Sequence, residues 1–391
     1  MIIEPVTRIE GNAVIEVRDG KVYFKVLEFR GFEKFLEGRS FEYVPMITAR
    51  ICGICPVAHA VASARAIENA FGIEISERAE DLRRVLLLAQ TIQSHALHLF
   101  FLALPDYFKS DSFVGVPKDL VSLGIELRKI ANKIVESIAV RPIHPEVIVG
   151  GVARDISKNP VDDLRTLLNG LVSKINDLNI LKEGEVLSET AYLSLNTAGK
   201  IDFYGETLKG YDGEFFEFKP EDYGNYIEEK VESYSFTKFP YLKGKVCRVG
   251  PLARLNLTKV DTDIAREMSK EFKNIRHETL LYNYARLVEI VYCLEKTIEI
   301  LENVRSGEIR QLVKPREGVG IGVVEAPRGT LIHHYEFDNK GLLRKANLIV
   351  PTTINNTAIN QDLNVMYKKG REEDFEKIVR AYDPCLSCST H

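Results

Sequence analysis

Residues 77–104 read "ERAEDLRRVLLLAQTIQSHALHLFFLAL". Ser76 stands just before this run as a helix N-cap, acidic residues crowd the first turn, and Pro105 follows as a stop signal. The run is too long for a strand and apolar around most of its circumference, so it reads as a helix covered on every side. Val85–Leu104 is also long enough to cross a bilayer, but Gln90, Gln93, Ser94, His95 and His98 interrupt it. Polar groups at bilayer depth are costly, so the stretch predicts the core helix of a water-soluble fold with no transmembrane segment. A helix covered all round needs other helices beside it, which predicts a central bundle.

The rest of the chain supplies them. Cys55–Phe71 is Ala-rich and closed by Gly72; further helical patterns cover Lys118–Ala139, Val161–Ile180, Asp261–Asn303 (two helices broken near Ile275–His277) and Glu372–Tyr382. Small sheets are expected around them. Asn12–Phe29 holds two alternating runs about Asp19–Gly20, a type I′ hairpin signal. Leu187–Val249 reads as strands and loops, and Ile321–Val350 alternates like strands. With no repeats, low-complexity tracts or flexible linkers, residues 1–391 form one domain of the α+β class, mainly α.

The 391 residues are 45% hydrophobic and 28% charged, with net charge −4. That balance argues against a nucleic-acid partner. Glu4 and the lack of a basic leading region exclude a signal peptide, so a cytoplasmic location is expected. Abundant Lys and Glu with no Trp and few Gln suggest a thermophile.

Six cysteines are too few for a disulfide scaffold at this length. Four form two C-x-x-C pairs: Cys52 and Cys55 in "RICGICPVAH" (50–59), and Cys385 and Cys388 in "DPCLSCSTH" (383–391). A C-x-x-C turn brings two thiolates to one metal, with amides facing sulfur, and Gly53 is expected to permit the tight turn. Two pairs offer a complete soft-ligand set, and if one metal takes all four the N- and C-termini meet at a buried metal site. From spacing alone, a structural four-cysteine zinc site joining the termini, a pair of redox dithiols and a redox-active metal centre all stay open.

The surroundings of the cysteines resemble the paired signatures of the [NiFe]-hydrogenase large subunit. The resemblance extends to "EPVTRIEGN" (4–12), "RGFE" (30–33), "SHALHLFFLALPD" (94–106), "VGPLAR" (249–254), "EAPRG" (325–329) and "VPTT" (350–353), in family order along the whole chain. It implies reversible heterolytic cleavage of H2. Cys52 and Cys385 would be terminal nickel ligands, with Cys55 and Cys388 bridging to an iron that carries carbon monoxide and cyanide. Cys385 and Glu10 would handle the proton, and Arg328 would overhang the metals beside Pro327. Asp106 and Asp383 would position Arg328, Thr352 would bond a cyanide, and His59 would donate to a bridging sulfur. Glu33, His391 and the Leu348 carbonyl would hold a second cation, Mg²⁺ or Fe²⁺.

His95 and His98 read as satisfied core histidines, and Cys247 and Cys293 as inert core thiols. The two cysteines outside the pairs cannot ligate an iron–sulfur cluster, so the electrons need a cluster-bearing small subunit. Further electron-transfer subunits for NAD(P), coenzyme F420 or ferredoxin are also implied, as are metallochaperones and a maturation endopeptidase cutting after His391. Asn12 replaces a usual His and Ile354 a common Trp. Length and ending resemble the cytosolic multi-subunit branch, with its sulfhydrogenases and F420-reducing enzymes.

Overall fold

The computed structural model describes residues 1–156 and 159–390. Helix makes up 46% and strand 20%, so helix predominates in a mixed fold. The helix opened by Ser76 spans Glu77–Leu97, and the Ser76 hydroxyl accepts from the Ala79 amide at 3.1 Å. It packs against the helices Lys118–Ala139 and Leu281–Glu302. An 18-residue window within Glu77–Tyr107 is apolar enough to cross a membrane, but 78% of it is buried inside the fold. Its polar residues face partners: Gln90 accepts from the Ala58 amide, His95 meets Glu289, and His98 meets Asn283.

Pro105 does not end this helix. The chain widens into a π-helical segment, His98–Ala103, and runs on through Leu104–Tyr107. Proline at the second position of that last turn loses no amide bond of its own, so it is tolerated. Val161–Ile180 divides into an α-helix, Val161–Val172, and a 3₁₀ stretch, Asn176–Lys182. The break before Leu281–Glu302 falls at residues 273–280.

Among the described residues, thirteen strands form four sheets. β1 (Ile2–Ile3), β2 (Ala13–Arg18) and β3 (Lys21–Val26) form the N-terminal sheet, with the turn at left-handed Asp19 and Gly20. β4 (Ala191–Thr197), β5 (Lys200–Ile201), β6 (Thr207–Tyr211), β7 (Phe215–Phe218) and β10 (Cys247–Arg248) form the second. β8 (Ile227–Val231) pairs with β9 (Lys238–Leu242). β11 (Gly318–Ala326), β12 (Gly329–Phe337) and β13 (Leu343–Ile349) make an antiparallel meander.

The meander is the bed for the helix Pro56–Phe71, which follows the first cysteine pair. Gly318, Gly320 and Gly322 alternate along β11, and a Cβ on any of them would lie 2.0–2.2 Å from a backbone carbonyl of Ala70, Ala66 or Ala62. Glycines two apart on a strand and alanines four apart on a helix each share one face, so the two backbones pack directly. Arg65 and Asn69 also donate to the Val323 and Ile321 carbonyls.

One long helix, Pro351–Lys368, has no clear sequence signal, because Asn and Thr are poor helix formers. Its asparagines instead satisfy strand edges. Asn364 both accepts from the Val22 amide and donates to its carbonyl, and Asn360 accepts from the Phe24 amide.

Candidate metal centre

The four paired cysteines meet. Their sulfurs lie within 4.8 Å of one another, and all four residues are at most 4% exposed. Cys52 Sγ is 3.0 Å from Cys385 Sγ, Cys55 Sγ is 3.2 Å from Cys388 Sγ, and the C-terminal sulfurs are 3.0 Å apart. On the N-terminal side Cys55 caps the helix Pro56–Phe71, and the Ile54 amide points to Cys52 Sγ at 3.2 Å. Gly53 is not demanded by the turn: its φ is not positive, and an added Cβ would meet nothing within 4 Å.

The C-terminal pair is carried differently. The helix Phe375–Tyr382 ends on Asp383, a non-glycine residue in the left-handed region at φ 53°. That turn sends the chain into the site, where Cys385 forms a parallel bridge with Glu10. The Glu10 carboxylate accepts from the Ser387 amide at 3.0 Å and from the Ser387 hydroxyl. Thr352 Oγ1 accepts from the Cys385 amide at 2.9 Å and keeps its own proton to donate. Gly11 is required by close approach, since a Cβ there would lie 2.9 Å from Leu386 Cβ at φ +82°.

Arg328 is 4% exposed and held by Asp383, through its Nε to the backbone carbonyl at 2.6 Å and its Nη2 to Oδ1 at 2.9 Å; Ser94 Oγ lies 3.4 Å from Nη1. Burial disfavours the charge on this guanidinium, but the Asp383 carboxylate and the Cys385, Cys55 and Cys52 sulfurs, as thiolates, favour it more strongly, and Arg328 stays charged. Burial would raise the Asp383 carboxyl, yet Arg328 and His98 hold it well below its usual range. Asp106 does not join Arg328. Both its oxygens are taken by Arg8 and Arg380, at 2.9 Å for each Arg380 bond. Among the described residues Asp383 is the only carboxylate paired with Arg328.

A second buried charge cluster fixes the loop that carries Arg328. Arg254 bonds Glu289 through two nitrogens at 2.6 Å each, Glu325 at 2.5 Å, and the carbonyls of Ala326 and Pro327. Glu289 also meets His95 Nε2 at 2.8 Å, and burial lowers the His95 imidazole to about 4. Cys247 and Cys293 are buried thiols whose pKa values burial pushes up.

The donor set fits a cation. Cys52 is held well below the ordinary thiol range by hydrogen bonds from Cys385, Cys388 and Cys55. Cys385 and Cys388 are pushed well above it, first by burial, and Cys55 is raised as well. Four buried thiolates repel one another, so full deprotonation requires metal.

The description "nickel-dependent hydrogenase" belongs to the family profile that matches residues 30–133 and 165–391. The chain belongs to this family. It is the large, catalytic subunit of a [NiFe]-hydrogenase, an oxidoreductase. Over its full length it is 38% identical to one subunit of the F420-non-reducing hydrogenase vhc of Methanococcus voltae, covering 94% of that protein. It is 35% identical to the alpha subunit of sulfhydrogenase 2 of Pyrococcus furiosus, covering 100% of this chain and 99% of the relative. A solved NAD⁺-reducing [NiFe]-hydrogenase in the H2-reduced state superposes with a TM-score of 0.90 at 32% identity, covering 100% and 99% of the two chains. Similarity along the whole hydrogenase chain leaves the structural zinc alternative without support.

In this hydrogenase subunit His59 lies one helical turn beyond Cys55, with Nε2 3.4 Å from Cys388 Sγ. Glu33 Oε1 accepts from the Leu348 amide at 2.7 Å and from Lys238 Nζ at 2.8 Å. His391 lies outside the described residues. Ser94, Arg254 and Glu325 sit inside the sequence motifs, but their burial and pairing appear only in three dimensions. Ser387, between the C-terminal cysteines, was equally silent.

Proposed function

We propose that this chain catalyses reversible heterolysis of H2 at a nickel–iron centre held by Cys52, Cys55, Cys385 and Cys388, the iron carrying carbon monoxide and cyanide. When bound, that centre supplies the soft, redox-active metals at which H2 is split. The observation that carries the reading is the closed, buried cluster of four sulfurs, which interacts electrostatically with the buried Arg328 guanidinium.

Arg328 presents a fixed positive charge to the substrate pocket, beside Pro327, and Asp383 orients it. The proton leaves through Cys385 Sγ to the Glu10 carboxylate, which Ser387 holds next to the C-terminal pair. The Thr352 hydroxyl, whose proton is free to donate, would bond a cyanide, and His59 Nε2–H would donate to the Cys388 sulfur. Asp106 acts from further out, tying "TRIEG" to the helix Phe375–Tyr382 through Arg8 and Arg380.

The reading includes a second cation, Mg²⁺ or Fe²⁺, at Glu33, Leu348 and His391. Glu33, Glu229 and Asn347 supply oxygen there, the kind of ligation Mg²⁺ prefers, and the Lys238 ammonium is a competing cation within the same set. Residues 1–391 act as one domain, supported by a core cluster that draws on residues from Val6 to Cys388. A cytoplasmic setting is supported by six free thiols. Electrons pass first to an iron–sulfur small subunit, then to further subunits, as the names of the multi-subunit relatives support.

Infrared spectroscopy and metal analysis of the matured protein test this. Carbon monoxide and cyanide bands with one nickel per chain are expected; stoichiometric zinc without such bands would overturn the reading. The magnesium count decides between a second metal and Lys238.

A further inference from the structure

His59 is the start of a buried hydrogen-bonded chain whose other members no motif marks. Its Nδ1 lies 3.2 Å from His333 Nε2, His333 Nδ1 lies 2.6 Å from the Tyr335 hydroxyl, and that hydroxyl lies 3.2 Å from Ser63 Oγ. All four residues are at most 1% exposed.

The fold makes this ladder. His59 and Ser63 are four apart on the helix Pro56–Phe71, a rise of roughly 6 Å. His333 and Tyr335 are two apart on β12, roughly 6.8 Å on the same face. His333 and Tyr335 pair across the sheet with Gly322 and Gly320, whose missing side chains let the helix descend. The rungs therefore meet in register.

A neutral imidazole carries one N–H and one lone pair, so each histidine transmits direction. With Cys388 as a thiolate, His59 Nε2 carries the proton and Nδ1 accepts from His333 Nε2–H. His333 Nδ1 then accepts the Tyr335 O–H. The opposite polarity leaves a lone pair facing the sulfur. Two protonated rings would set N–H against N–H across 3.2 Å. The single Tyr335 proton has two acceptors, His333 Nδ1 at 2.6 Å and Ser63 Oγ at 3.2 Å; the shorter contact sets the direction, with the Ser63 hydroxyl then donating to the phenol oxygen, and burial keeps the Tyr335 O–H intact.

We infer that His333 and Tyr335 are positioning residues that lock His59 as an Nε2–H donor to the Cys388 sulfur and so set that sulfur's electron donation to the metals. The inference depends on the nickel–iron reading only for its infrared readout. Hydrogen bonds to ligand sulfur tune a metal centre, and losing such a partner costs roughly 10-fold or more in metal affinity or activity.

Two readouts test it. Nitrogen-15 NMR of histidine-labelled, metal-loaded protein reads the His59 tautomer whichever metal fills the site. Nε2–H with a bare Nδ1 is expected in the native chain, and Tyr335→Phe should lose that single tautomer. Its carbonyl band should move to lower wavenumber as the sulfur becomes more electron-rich. His333→Gln, whose amide can accept from Tyr335 and donate to His59, should keep the native band. A native Nδ1–H tautomer overturns the inference, as does Tyr335→Phe with unchanged tautomer and band. The expected tautomers in a protein without carbonyl bands would support this inference and sink the nickel–iron reading.

Discussion

The two C-x-x-C pairs share a motif and differ in how they are mounted. Cys52 and Cys55 sit at the head of a helix laid backbone-to-backbone on the glycines of β11. Cys385 and Cys388 sit on a short turn held by polar groups from elsewhere in the chain, namely Glu10, Thr352 and, through Asp383, Arg328. The first mount rests on shape and the second on hydrogen bonds and charge. The groups proposed to act on substrate protons and charge gather at the second mount, where the contacts that hold the turn are themselves polar.

The strongest way to break the contrast is to remove a sulfur. Cys388→Ser should abolish nickel retention, read by metal analysis, because three soft ligands remain and the oxygen binds poorly. Arg328→Lys should keep the metals but lower H2 turnover by about 10²–10³-fold, since a point charge cannot hold both Asp383 contacts. Glu10→Gln should retain the acceptor for the Ser387 amide while losing the base, cutting turnover by about 10²-fold with nickel content unchanged. Native turnover in either variant would place that residue in the mount alone.

A smaller effect tests the charge cluster that holds the Arg328 loop. His95 titrates at about 4 in the folded chain, against about 6.5 when unfolded. As pH falls through that window the unfolded chain takes the proton first, so stability should drop by up to about 3 kcal/mol between pH 6.5 and 4. Denaturant unfolding against pH reads this, and His95→Gln should flatten that part of the profile. The last variant addresses the first mount. Gly320→Ala places a Cβ 2.0 Å from the Ala66 carbonyl and should cost about 1–3 kcal/mol, as the helix must lift from its bed. An unchanged unfolding midpoint would show that the shape-based mount has slack.

Local signals carried far in this chain. The Ser76 cap, the Asp19–Gly20 turn and the closing Gly72 each act within a few residues, and each stands where its chemistry predicts. The meeting of the cysteines was legible because soft ligands have few other uses in such a setting. What escaped reading depends on partners far along the chain. The helix Pro351–Lys368 exists because its asparagines satisfy the edge of β3, against their own propensity. Asp106 was expected at Arg328, but two other arginines claim it. The π-helical turn and the glycine bed are answers to packing, which no window of sequence contains.

The parallel bridge between Glu10 and Cys385, together with sulfurs paired across 333 positions, has a consequence in time. At about 5–20 residues per second, the second cysteine pair emerges from the ribosome roughly 17–67 s after the first. Throughout that interval Cys52 and Cys55 lack their partners, and Glu10 lacks the turn it holds. The centre cannot close before Cys388 has been synthesised, so the first pair is made long before its site exists.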